Sequence, residues 1–406
     1  MPHDTEVLVV GGGATGVGVA RDAVRRGMDV TLVDRGGLSN GTTGHSHGLL
    51  HSGARYAESD LTGAQECIAE NRIITDIAGH CIRDTGGLFV QLADDDPDYF
   101  DAKLDGCAEA GIPATVVDPE VARERVPGIA DDLVRAMEVP DGVVYPSRLV
   151  AANAADASDH GAAIYPHAPV EDVHVEDGQV TGVDVGGAVE DTITAEFVVN
   201  ATGAWAGEFA DMAGVPVEMQ PTRGVMVSVD YEGLGPVLNR CRDPDDGDII
   251  VAHETEAVLG TTSVPVGGPD EYEQDQWEID RTVEECAAML PAVADAETVR
   301  SWWGVRPLYA PDEADKGRGI SRGFFLLDHA EDGVENLASI VGGKLTTYRQ
   351  MAAAATNLVA DRLGVAAECT TAKERLPGAD DPDQLDTFVA EYDGQGATDA
   401  DVVGAD

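Results

Sequence analysis

The sequence predicts an α/β fold in which a Rossmann-like domain is interleaved with a second, β-rich domain. Three observations predict it. The chain opens on an apolar strand that runs into G-x-G-x-x-G and a helix, EVLVVGGGATGVGVARDAVRRGMDVTLVDR at residues 6–35. Two later blocks, 196–214 and 339–363, repeat the order strand, glycine turn, helix. The segments between them, 80–145 and 216–320, have another texture, with β-forming runs such as GVMVSVD and AVLGTTSV and Pro-Gly turns.

In the first block Gly11 permits a tight turn, Gly13 lets backbone approach a pyrophosphate, and Gly16 brings helix and strand together. The helix N-terminus presents free N–H groups and a partial positive charge to phosphates, while Ala20 and Ala23 face the sheet. Asp34, twenty-one residues after Gly13, ends the second strand, placed to accept hydrogen bonds from the adenosine ribose hydroxyls. A structural glycine turn is the plain alternative, and strand, helix and acid in register favour a dinucleotide site.

The next segment, GGLSNGTTGHSHGLLHSGARY, is a glycine, serine and threonine loop suited to wrapping a long, flat cofactor. There is no second G-x-G-x-x-G for a nicotinamide cofactor and no redox-active cysteine pair, so FAD is the expected dinucleotide. Residues 146–185 read as helix, strand, then a hairpin turned at Asp177-Gly178. Residues 196–214 read as strand, Gly203 turn and helix, again aimed at a phosphate. Residues 339–363 read as strand, Gly342-Gly343 turn and a helix whose N-terminal dipole can stabilise negative charge on a reduced flavin. The division expected is an FAD-binding domain from 1–79, 146–215 and 321–365, a substrate domain from 80–145 and 216–320, and an acidic C-terminal segment, 366–406.

Composition narrows the function. The formal charge of −49 excludes broad affinity for nucleic acid or anionic lipid. Only four lysines occur, Lys103, Lys316, Lys344 and Lys373, and acidic residues lie throughout the chain. That pattern fits adaptation to concentrated salt, where the Debye length falls to about 3 Å near 1 M. The six cysteines, at 67, 81, 107, 241, 286 and 369, form no C-x-x-C pair and read as reduced, buried thiols. The N-terminus enters a strand without a signal peptide and no run reaches eighteen apolar residues, so a cytoplasmic protein without direct membrane insertion is expected.

His45, His47 and His51 make H-x-H-x3-H, which raises the question of a metal. The surrounding glycines indicate a loop rather than the strand that would put two of them on one side, and no fourth ligand stands nearby. No metal is expected. The histidines serve a flavin loop.

The order GGGATG, HGLLHSGARY, VVNATGAW, GTTS, GVRPL, GGKLTTYR resembles the FAD-dependent glycerol-3-phosphate dehydrogenases of the D-amino-acid-oxidase-like fold. QECIAENRIITDIAGHC, NRCRDPDDGDI and SRGFFLLDHA bring it nearer to the A subunits of the anaerobic, quinone-linked enzymes than to the aerobic ones. The resemblance covers about residues 5–377. The family's A subunits continue into a cysteine-rich region, so a shorter form or a truncated chain is expected here.

The resemblance implies FAD contacts from Gly11, Gly13, Ala14, Thr15 and Gly16 at the phosphate turn and from Asp34 and Arg35 beyond it. It adds Thr42, Thr43, His47, Gly48 and Leu49 in the loop, Val170, then Ala201, Thr202 and Gly203, and finally Gly343, Lys344, Leu345 and Thr346. It puts Arg55, Arg306 and Lys344 around the phosphate of glycerol 3-phosphate, with Tyr56 bonding that phosphate or packing beside it. For Arg55 and Arg306 the plain alternative is a structural ion pair. Lys344 begins a helix, where the dipole disfavours a cation, and that points to function. His51 is the choice of general base, since an imidazole pKa near 6.5 suits proton abstraction at neutral pH; a structural hydrogen bond is the alternative. Trp302 and Trp303 are expected to pack between strands.

The implied partners are a flavin-type and an iron–sulfur subunit leading to membrane quinone, which would hold the chain peripherally on the inner face of the membrane. Two other readings stand beside this one: a flavin amine or 2-hydroxy-acid oxidase, which would want one carboxylate-binding Arg, and a non-catalytic FAD-binding protein that serves only assembly.

Overall fold

A computed structural model describes residues 3–310, 323–394 and 396–400. Its first sheet has eight strands. Strand β1 (His3–Val10) pairs in parallel with β2 (Val30–Val33) on one side and with Asp191–Asn200 on the other, so Val10 stands opposite both Val33 and Asn200. Ala163–Tyr165 adds beyond β2, and Leu337–Gly342 adds beyond Asp191–Asn200, both in parallel; Phe324–Asp328 closes that edge antiparallel. The side chains of β1 alternate: Val7 and Val9 join the core around helix α1 (Ala14–Arg25), and Leu8 and Val10 join the layer on the other face. A strand covered on both faces reads as an unbroken apolar run, which is what LVV is. Helices Pro146–Asp159 and Tyr348–Leu363 pack beside α1. The hairpin Val170–Glu176/Gln179–Val185 turns at Asp177 and Gly178, both with positive φ.

The second sheet has nine strands and is built from both stretches that carry β-forming runs. Gly87–Leu92 from the first stretch pairs in parallel with Val237–Arg240 from the second. Thr222–Asp230 lies between Glu256–Gly260 and Thr298–Arg306. Trp302 and Trp303, on the last of these, enter different clusters on its two faces. The same stretches also hold helices that the β-rich reading did not mark, among them Pro97–Ala110 and Gln276–Met289. The first of these starts at an Asp96 cap with proline in the first turn and stops at Gly111 in the left-handed region, which are strong helix signals. A three-stranded sheet of Leu49–Leu50, Gly142–Val144 and Ile82–Arg83 lies between the two larger ones in sequence.

The C-terminal segment packs onto the first core. Helix Pro382–Glu391 lies against Pro146–Asp159, burying Leu385, Val389 and Tyr392. Asp399 accepts hydrogen bonds from the Ser147 N–H (3.1 Å) and hydroxyl (2.6 Å) in the first turn of that helix. Residues 321 and 322, where the third stretch of the expected cofactor domain begins, and 401–406 of the terminal segment lie outside the described residues, as does Lys316. All six cysteines are free thiols, five of them buried. Among the described residues no helix is long and apolar enough to cross a membrane.

Candidate active site

One elongated cavity runs from the C-terminal end of β1 to the second sheet. At its outer end Gly11, Gly13, Ala14 and Thr15 form the turn into α1, with Asp34 and Arg35 beside them. In a chain so rich in carboxylates, the first turn of α1 itself has none, and its positive end faces the cavity. Thr43 reaches over from the loop to accept a hydrogen bond from the Ala14 N–H at 3.2 Å. The Asp34 carboxylate accepts from the N–H groups of Gly12 (2.5 Å) and Gly36 (2.8 Å). Burial pushes its carboxyl up from its ordinary value, against those bonds and the nearby Arg35 and His167. Each oxygen keeps a lone pair, so the pair of oxygens suits vicinal hydroxyl donors. Gly16 stands behind the turn: a Cβ there would lie 1.8 Å from the Gly11 carbonyl oxygen, so this glycine sets the closeness of helix and strand.

The middle wall comes from Thr42, Thr43, His47 and Leu49 of the loop, Val170, the turn Ala201–Gly203, and Gly343, Lys344 and Leu345. His45 Nδ1 bonds the Gly41 carbonyl oxygen at 2.9 Å, and His47 Nδ1 accepts from the Leu49 N–H at 3.2 Å, so both rings order the loop. Gly48 and Thr346, expected against the cofactor, stand behind this wall. Gly48 packs toward Thr398 and the Val144 carbonyl. Thr346 is buried, and its hydroxyl accepts the His51 N–H at 3.0 Å. These residues shape the loop instead of lining the cavity. The glycine turns, the exposed helix end and the Asp34 pair fit a dinucleotide, and the long wall beyond them gives room for a flat ring system.

At the inner end, His51, Arg55, Tyr56, Arg306 and Lys344 line the same cavity with Met226, Ile249 and Thr261. The rings of His51 and Tyr56 are 5.5 Å apart, and Lys344 Nζ lies 4.5 Å from the Tyr56 ring centroid. Arg306 ends its strand and donates to the carbonyl oxygens of Thr262 (2.9 Å) and Arg223 (3.3 Å) and to the Thr261 hydroxyl (3.3 Å). Arg55 lies 3.5 Å from Asp248, which is buried and also pairs with Arg242 at 2.8 Å. The ion-pair alternative for Arg55 is therefore realised without withdrawing the side chain from the cavity.

Sequence reasoning passed over the residues that hold this end in shape. Asp141, buried, accepts the Ser52 N–H at 2.7 Å and the Asn239 amide at 3.1 Å. Burial pushes its carboxyl up, and likewise that of Asp248, which Arg55 pulls back down. Asp248 lies in NRCRDPDDGDI, a motif that carries the resemblance and no assigned task; Asp141 lies in the turn sequence Pro140-Asp141-Gly142, which gives no sign of its contact with Ser52.

A model of the family described as FAD dependent oxidoreductase matches residues 6–349. The chain is 51% identical to the A1 subunit of the anaerobic glycerol-3-phosphate dehydrogenase of Haloferax volcanii, over 97% of this chain and 70% of that protein. It is 42% identical to the corresponding A subunit of the anaerobic glycerol-3-phosphate dehydrogenase of Escherichia coli K12, over 94% and 72%. Among solved structures it is similar to the FAD complex of the Bacillus halodurans glycerol-3-phosphate dehydrogenase, with a TM-score of 0.72 at 23% identity over 98% of this chain and 76% of that one. It is equally similar in fold to glycine oxidase from Geobacillus kaustophilus, with a TM-score of 0.72 at 22% identity over 92% and 98%. At those identities the structures establish the fold, and the sequence matches carry the rest. A dinucleotide cavity of this build, the family match over most of the chain and relatives of this identity lead to one conclusion: the chain belongs to the FAD dependent oxidoreductases and, within them, to the A subunits of the anaerobic glycerol-3-phosphate dehydrogenases.

Proposed function

We propose that the chain oxidises sn-glycerol 3-phosphate to dihydroxyacetone phosphate with FAD, and that the electrons pass through flavin and iron–sulfur partner subunits to membrane quinone. One observation carries the substrate assignment: Arg55, Arg306 and Lys344 line a single end of the cavity in a chain of net charge −49. A phosphate monoester carries close to two negative charges at neutral pH, and the field of the whole protein repels it. Only a local cluster of cations holds it, and three are present where one would serve a carboxylate.

FAD, when bound, supplies the acceptor for the hydride that leaves C2. The chain's residues do the remainder. Arg306 and Lys344 seat the phosphate and so fix the distance from it to C2. Arg55, anchored on Asp248, closes the seat from the other side. His51 takes the hydroxyl proton as the hydride departs. Met226 and Ile249 keep that end apolar, which strengthens each charge contact made there. On this reading 1–79, 146–215 and 321–365 hold the cofactor, 80–145 and 216–320 shape the substrate end, and the partner subunits bring a cytoplasmic chain to the inner face of the membrane.

Two measurements test the proposal. Under anaerobic conditions glycerol 3-phosphate bleaches the flavin of the FAD-loaded chain, whereas glycerol, glycine and lactate at the same concentration do not; bleaching by glycine or lactate instead would overturn the substrate class. The chain alone reduces small dyes and reduces a quinone analogue only when membranes from its source are added; equal rates on both without membranes would remove the partner subunits.

A further inference from the structure

We infer that Lys103, outside the cavity on the helix α2 (Pro97–Ala110), is a positioning residue for the substrate phosphate, acting through the turn Ala54–Tyr56; this rests on the role proposed above for Arg55. Lysine is nearly absent from this chain, four in 406 residues, yet Lys103 is 1% exposed. Its ammonium donates to the carbonyl oxygens of Ala54 (3.1 Å) and Arg55 (3.2 Å) and to Glu58 Oε2 (2.5 Å). Those three acceptors use all three of its donors. The Tyr99 hydroxyl donates to the other oxygen of Glu58 at 2.6 Å, and the Lys103 ammonium lies 5.0 Å from the Tyr99 ring and 5.3 Å from that of Phe89.

A second observation places the helix against the same turn. Gly106, one turn beyond Lys103, approaches so closely that a Cβ would lie 2.2 Å from the Ala57 carbonyl oxygen. α2 is thus seated on the backbone of residues 54–57 directly, with no side chain between them at that point.

Energetics separate positioning from packing. Removing an ammonium and a carboxylate from water costs several kcal/mol each, and a buried pair recovers this with little surplus over apolar residues of the same volume. Stability alone therefore gives a weak reason for Lys103. No apolar side chain, however, can bond two main-chain carbonyls, one of them Arg55's own. With Asp248 facing its guanidinium, Arg55 is held at both ends, backbone by Lys103 and head group by Asp248. Displacement of the turn by a fraction of an ångström would move Arg55 and Tyr56 together relative to Lys344 and Arg306.

The test uses the full FAD-loaded chain with a dye acceptor and compares Lys103→Met, the double change Lys103→Met/Glu58→Gln, Gly106→Ala and Arg55→Ala. The double change leaves no unpaired buried carboxylate and reports positioning if the single one fails to fold; Gly106→Ala lifts the helix from the turn and is the alternative if both fail. The expected result is a KM for glycerol 3-phosphate raised about tenfold or more in each folded variant, with kcat and the FAD dissociation constant changed by less than about twofold. If Arg55→Ala raises KM and the folded Lys103 variants do not, Lys103 has no positioning role. If kcat and FAD affinity fall together with the affinity for glycerol 3-phosphate, the damage is general and the inference is overturned. If Arg55→Ala itself leaves KM unchanged, the phosphate role of Arg55 falls first.

Discussion

The Lys344 ammonium stands 4.5 Å from the centre of the Tyr56 ring, joining the turn after the Leu337–Gly342 strand to the turn that carries Arg55. A cation over an aromatic face gains about 0.5–2 kcal/mol, more as water is excluded. The contact holds the charge in the cavity before substrate arrives. Lys344→Met is expected to raise KM for glycerol 3-phosphate by about tenfold or more, equivalent to about 1.4 kcal/mol of lost binding. Tyr56→Phe keeps the ring and most of the affinity, whereas Tyr56→Ala behaves like the lysine variant. Equal KM values for the phenylalanine and alanine variants would remove the ring from the argument.

Arg306 offers a sharper separation of substrate from cofactor. Its guanidinium is fixed by two carbonyl oxygens and a threonine hydroxyl, a fork that one ammonium cannot reproduce. Arg306→Lys should therefore resemble Arg306→Ala: a large rise in KM for glycerol 3-phosphate beside an almost unchanged FAD dissociation constant by fluorescence titration. Wild-type turnover in either variant at low substrate would take Arg306 out of the phosphate seat.

The parts legible in the sequence are those whose geometry is local. Gly11, Gly13 and Asp34 lie within one strand–helix–strand unit, so spacing alone predicts their meeting. The hairpin at Asp177-Gly178 is another case, since two residues decide the turn. Arg55, Arg306 and Lys344 come from three distant places, and only the resemblance brought them together on paper. Contacts made entirely through the fold stayed invisible. Thr346 accepts the His51 N–H across 295 positions, Asp141 holds Ser52 across 89, and Lys103 reaches Ala54 across 49. The helix Pro97–Ala110 had its own start and stop signals, and neighbouring β-forming runs masked them.

His253 predicts how the fold responds to acid. Burial pushes its imidazole down to about 4 from an ordinary 6.5, against the pull of the His47 carbonyl. The unfolded chain therefore binds a proton between pH 6.5 and 4 that the folded chain refuses, and stability from this group is lost as pH falls through that window. The loss approaches about 3 kcal/mol at the lower end. His253→Phe keeps the ring contact with Tyr145 and should flatten this part of the stability curve relative to the parent. Parallel curves for the two proteins between these limits would show that His253 does not titrate on unfolding.

Net charge predicts the response to salt. At −49 the folded chain repels itself, and the Debye length grows from about 3 Å at 1 M to about 10 Å at 0.1 M. Dilution from molar to tenth-molar potassium chloride should lower the thermal midpoint by several degrees. Buried pairs such as Arg21–Asp156 are shielded from the solvent ions and do not offset the loss. A midpoint that stays constant across the dilution would remove the halophilic reading.

His51 allows a clean test of the proton step because its backbone is held independently of its ring. Its N–H donates to the Thr346 hydroxyl at 3.0 Å and its carbonyl accepts from the Asn71 amide at 3.3 Å. Replacing the imidazole leaves both contacts in place, so the loop should keep its path. If the ring is the base, His51→Asn lowers kcat by about 10²–10⁴ while KM and FAD affinity stay near the parent's. Substrate deuterated at C2 should slow flavin reduction in both proteins, since the hydride still leaves from the same carbon. Parental turnover in His51→Asn would assign the proton to another group and leave His51 as a structural part of the loop.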